Sequence, residues 1–223
     1  MKETDKRRAQ FVAFFAAYFV AVWFLWYTPV VYPIKLFVVL LHEVSHGLVA
    51  VATGGTIQGI QLTPDQGGLC RCPGGDAFLT LTAGYLGSLL WGGLMFWGAQ
   101  RLGRRAAWLT AAIGAVVLVV AVPFIRNGFG LVFGLAFGAA LIAAARWVGA
   151  EGNRIILTVL GLTSCLYAVL DIKSDILDRP QLLSDARLLA EMTAVPTVIW
   201  GMLWITAAIT FCWLLLRWAW RRV

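Results

Sequence analysis

The sequence predicts an all-α polytopic membrane protein of about six to seven transmembrane helices, with a short β-hairpin in one loop. Three observations carry this. Hydrophobic residues make up 61% of the 223-residue chain and charged residues 13%, against about 45–50% and about 25% in soluble domains. The apolar residues come in blocks of about 20, the length that crosses a bilayer as a helix. The 11 Trp fit the same setting, because Trp prefers the membrane interface where one end of its ring is wet.

Seven spans can be placed in order, at roughly 10–31, 34–53, 77–99, 105–122, 128–148, 154–175 and 196–217. The first follows a basic stretch and runs on past signal-peptide length without an A-x-A cleavage site, so it reads as a retained helix. Trp23, Trp26, Trp97 and Trp147 fall near proposed ends, as an aromatic belt requires. The second span stops at Gly54-Gly55. Beyond it, Thr56 to Leu62 partly alternates apolar and polar residues, which predicts a strand or hairpin. The fifth span carries Gly130, Gly134 and Gly138 at the small-xxx-small spacing of closely packed helices. The long stretch 173–195 holds most of the remaining acids, and Asp185, in Ser184-Asp185 before an Ala/Leu-rich stretch, reads as the cap of a following helix.

The net charge of +7 would suggest nucleic acid on a soluble domain. Here the basic residues lie between apolar blocks, so lipid headgroups are the expected partner and nucleic acid is not. On the seven-span reading, Lys and Arg divide nine against nine between the two faces, which leaves the orientation open. Cys165 and Cys212 read as small hydrophobes. Cys70 and Cys72 form a C-x-C that suits either a disulfide or a metal contact.

Residues 42–46 read His42-Glu43-Val44-Ser45-His46, an H-E-x-x-H inside an apolar helix. Two His four apart share one helical face and can bind one Zn²⁺, with Glu43 placed to reach a metal-bound water. The chain has only these two His. Imidazoles and a carboxylate at membrane depth are costly unless paired or metal-bound. A catalytic zinc takes three protein ligands and keeps one open position. With no third His, the third ligand must be a carboxylate or Cys. Asp171, at the end of the apolar run 155–170, is the favoured candidate, with Asp175 one turn later as the alternative. The second and sixth spans are separated by four crossings and so run in the same direction. At 1.5 Å per residue, His46 and Asp171 then lie at similar depth.

These residues resemble the site-2-protease family of intramembrane zinc metalloproteases, in particular its compact bacterial branch without PDZ or nucleotide-sensing domains. The likeness rests on Leu41 to Gly47, Ala52-Thr53-Gly54-Gly55, Thr82 to Ser88, and the membrane Asp171. It implies one integral membrane metalloprotease domain over 1–223, with core spans 34–53, 77–99 and 154–175. It implies Zn²⁺ held by His42, His46 and Asp171, with Glu43 as the general base that activates a zinc-bound water. It also implies a transmembrane protein as substrate and residence in the bacterial inner membrane. The segment after Gly55 is similar to the family's hairpin, which can take an unwound substrate by strand addition. The chain departs from the family in having Val169-Leu170-Asp171-Ile172 without a neighbouring Pro or Gly, and Tyr85 and Ser88 where many members have Pro and Asn. A non-catalytic membrane zinc scaffold or sensor and a transporter are the other readings. The transporter predicts inverted repeats, and none is evident.

Overall fold

The computed structural model describes residues 3–178 and 184–222. Among the described residues there are eight α-helices: α1 (Glu3–Leu25), α2 (Tyr32–Ala52), α3 (Ala77–Arg101), α4 (Ala106–Phe124), α5 (Gly128–Trp147), α6 (Gly149–Lys173), α7 (Asp185–Thr193) and α8 (Thr197–Trp220). All but the nine-residue α7 are long and apolar enough to cross a membrane. The seven-span expectation is met, and the protein is an integral membrane protein. The span beginning at α4 is longer than its sequence pattern suggested, because a 3₁₀ turn at Gly103–Arg105 precedes it.

Burial arranges the spans around α2, which is the most enclosed, while α1 and α8 lie outermost. Its flank Phe37 to Leu41 is almost wholly buried, and Phe37 stacks on Phe137 of α5 at 4.8 Å between ring centroids. Helices α3 and α6 meet where each has a glycine. A Cβ on Gly161 would lie 2.7 Å from the Gly92 carbonyl oxygen, so only glycine allows this approach. Ser164 of α6 donates a 2.8 Å hydrogen bond to the Ser88 carbonyl of α3 in the same seam. Small residues are the means by which helices associate without water to drive them together. Gly134 and Gly138 do the same for α5, with Gly114 and Gly138 packed backbone to backbone between α4 and α5, while Gly130 of the same stripe faces Leu62 of the hairpin.

Strands β1 (Gly59–Leu62) and β2 (Gly68–Arg71) form the expected hairpin, in the antiparallel register Leu62↔Gly68 to Gly59↔Arg71. The hairpin folds back along α2 instead of projecting from its end. Gly75 packs on Ala50, Cys70 near Gly47, and Gly68 on Glu43. At the tip, Tyr32 in the first turn of α2 donates to the Pro64 carbonyl at 2.7 Å. Strand backbone is therefore carried to the depth of the H-E-x-x-H. Such backbone is tolerated there only against protein or beside a water-filled cavity.

Candidate metal centre

His42, Glu43 and His46 lie in the middle of α2. Helical spacing puts both imidazoles on one face, with ring centroids 4.8 Å apart. They open into a cavity of about 580 Å³ shared by α2, α3, α6, α7 and the hairpin. Gly84 of α3 faces the pair. A Cβ there would come within 2.6 Å of His46 Nε2 and closer still to His42 Nε2. The residue type at 84 thus leaves room for the imidazole nitrogens. The edge of the Tyr85 ring packs on the His42 ring, with centroids 5.1 Å apart.

The carboxylate brought to this pair is Asp185, where the sequence reading favours Asp171. Asp185 Oδ2 lies 3.0 Å from His42 Nε2 and 3.2 Å from His46 Nε2. Asp171 and Asp175 line the same cavity but are not part of the close cluster. Asp175 accepts a 2.5 Å hydrogen bond from the Tyr85 hydroxyl. The return of the chain after α6 brings Asp185 to the histidines. Helix α7 buries Ala186 and Leu189 against Tyr85, Ile172 and Trp204, and that packing swings its first turn onto the histidines. Ser184 is the N-cap, accepting from the Arg187 N–H at 3.3 Å. The cap thus falls to Ser184 and not, as the sequence reading had it, to Asp185, because Asp185 already stands in the first turn of the helix. The signal for this was in the sequence: an apolar pair at i, i+3 following Ser-Asp.

The donor set fits a metal ion. His46 Nδ1 is 2.7 Å from the Thr80 carbonyl oxygen. A carbonyl only accepts, so Nδ1 carries the proton. In a neutral ring Nε2 is then a lone pair, and it faces a carboxylate oxygen at 3.2 Å. Two acceptors at that distance repel unless a cation or proton lies between them. Ligand atoms of the three side chains all fall within 4.8 Å of one another. A tetrahedral zinc with bonds of about 2.0–2.1 Å has ligand–ligand edges of about 3.3 Å. Among the described residues no other group of His, Cys, Asp and Glu is placed to hold a metal. The sulfurs of Cys70 and Cys72 are joined to each other as a disulfide.

Glu43 is buried, at 5% exposure, and lines the cavity beside the histidines. Its carboxylate lies against β2, where a Cβ on Gly68 would collide with it. The motif thus presents a carboxylate and two imidazoles, with Asp185 converging on them, to this cavity.

No curated protein and no solved structure matches the chain significantly. A family model, that of Peptidase M50B-like proteins, matches residues 15–215, nearly the whole chain. The helices that build the cavity all fall in that span, and the chain therefore belongs to the Peptidase M50B-like family, the site-2-protease group that its motifs resemble.

Proposed function

We propose that the protein is an intramembrane zinc metalloprotease in which His42, His46 and Asp185 hold zinc and Glu43 is the general base. The observation that carries this reading is the convergence of Asp185 Oδ2 on the Nε2 atoms of both histidines. When bound, zinc in such a site polarises a carbonyl and lowers the pKa of a water toward about 7. The residues supply the rest. His46 is oriented by its Nδ1–H bond to Thr80, which aims Nε2 inward. A Glu43 carboxylate oxygen accepts a proton from the attacking water and returns it to the leaving amine nitrogen.

The substrate is a transmembrane segment of another membrane protein, and the setting is the bacterial inner membrane. An intact helix keeps its carbonyls hydrogen-bonded, so the segment must unwind before attack. The β2 edge beside Glu43 receives it as an added strand. A non-catalytic zinc scaffold would need no space beside Glu43, and the cavity there supports the enzyme over the scaffold. The test is Glu43→Gln in the full-length protein in lipid. Zinc content should stay at that of wild type while cleavage of a transmembrane substrate is lost. Undiminished cleavage would remove Glu43 from the mechanism.

A further inference from the structure

The hairpin has two edges, and they are treated differently. In the antiparallel register, Ile60 and Leu62 turn their backbone groups away from β2. The connection between α4 and α5 meets them there. Ile60 pairs with Ile125 in a parallel bridge, and its carbonyl accepts from the Arg126 N–H at 2.9 Å. At Leu62 the partner is a side chain. Asn127 Nδ2 donates to the Leu62 carbonyl at 2.6 Å, and Asn127 Oδ1 accepts from the Leu62 N–H at 3.2 Å. One amide group thus performs both functions of a neighbouring strand.

Two further observations show that this pairing is built in. Asn127 occupies the N-cap of α5, where Asn ordinarily accepts from the first turn, yet its side chain makes no capping bond. The polar N-caps of α3 and α7, Asp76 and Ser184, both do. Gly130 provides the room, since a Cβ there would lie 2.8 Å from Asn127 Oδ1 and 3.3 Å from Leu62 Cβ. The pairing also leads toward the site. Leu62 is wholly buried and is the direct cross-strand partner of Gly68, the residue that packs on Glu43.

We propose that Asn127 is a positioning residue whose side-chain amide acts as a surrogate third strand. It closes the outer edge of the hairpin and fixes β2 against Glu43, so that an extended substrate can add only on the cavity side. The substrate-facing half rests on the protease reading; the clamp itself does not.

The test uses Asn127→Leu, Asn127→Asp and Gly130→Ala in the full-length zinc-loaded protein in nanodiscs. Amide hydrogen exchange, read by mass spectrometry over 59–71, should accelerate about thirtyfold in Asn127→Leu, the equivalent of two ordinary net hydrogen bonds. Asn127→Asp keeps the acceptor and loses the donor, and should give about fivefold. Gly130→Ala displaces the amide without altering it, and decides the matter if Asn127→Leu does not fold. Zinc per chain and exchange in α2 and α3 should be unchanged. With a quenched-fluorescent apolar peptide as probe, KM should rise about tenfold and kcat by less than threefold either way. Unchanged exchange over 59–71 in the folded variants overturns the clamp. Exchange that accelerates equally in α2 and α3 makes Asn127 a general packing residue and overturns positioning. Faster hairpin exchange with unchanged KM overturns the substrate-facing half. If wild type hydrolyses no peptide, the protease reading fails, while the exchange arm still decides the clamp.

Discussion

Replacing Asp185 by Ala should release zinc, and replacing Asp171 by Ala should not. Asp185 Oδ2 sits within 3.2 Å of both imidazole Nε2 atoms, whereas Asp171 lines the cavity outside that cluster. A structural four-ligand zinc site is worth about 10–16 kcal/mol, or about 2.5–4 kcal/mol per ligand if shared evenly. Loss of one ligand should therefore raise the zinc Kd about 10²–10³-fold. Loss of a carboxylate that only faces the site should cost less than about tenfold, below the 10–100-fold typical of direct ligand supports. The assay is competition against a fluorescent zinc chelator at fixed pH, with zinc per chain measured in parallel. Ser184→Ala serves as the control for folding of α7. It removes the cap, worth about 1 kcal/mol, and leaves the ligand in place. Its zinc affinity should fall far less than that of Asp185→Ala. Zinc kept by Asp185→Ala and lost from Asp171→Ala would refute the assignment and place the third ligand on α6.

Three other perturbations separate the metal site from the strand and from the scaffold. Gly84→Ala drives a Cβ into both imidazole nitrogens and should weaken zinc binding more than tenfold, read by the same chelator competition. Gly68→Ala meets the Glu43 carboxylate, so kcat should fall at least tenfold while zinc content holds. Gly161→Ala brings a Cβ to 2.7 Å from the Gly92 carbonyl. Overpacking of this kind costs about 1–3 kcal/mol and should lower the thermal midpoint in detergent by several degrees, with zinc binding intact below it.

The fold was legible because bilayer physics leaves few options. A chain with runs of about 20 apolar residues can only cross as helices. Gly54-Gly55 ended α2 as expected, and the last four residues of the alternating stretch Thr56 to Leu62 became β1. What composition could not supply was the direction of the hairpin. Nothing in residues 56–71 says that they turn back along α2. That path is set by contacts remote in sequence: Tyr32 on Pro64, and Asn127 on Leu62. The capping rule applied to Asn127 would have pointed its amide the wrong way, since tertiary pairing outbids the local cap.

The common face of His42 and His46 was legible from spacing alone, because i, i+4 on a helix fixes it. Which carboxylate lies nearest the histidines was not, and the reason is geometric. Depth along a span is additive at 1.5 Å per residue, so Asp171 could be placed level with His46 by counting. That count treats the site as a meeting of straight helices and ignores chain that leaves a span and folds back. Asp185 reaches the same depth by such a return, on a helix of nine residues that cannot cross a membrane. The clue lay in burial demand. Ala186 and Leu189 form an apolar stripe too short to span, and it must pack on something; it packs on Tyr85 and Trp204 beside His42. A short amphipathic helix with an acid in its first turn, following the last core span, is therefore as strong a source of a metal ligand as an acid within the span itself. Of the two neighbouring acids, Asp175 takes the Tyr85 hydroxyl, tying the turn that follows α6 to the helix that makes room for the imidazoles.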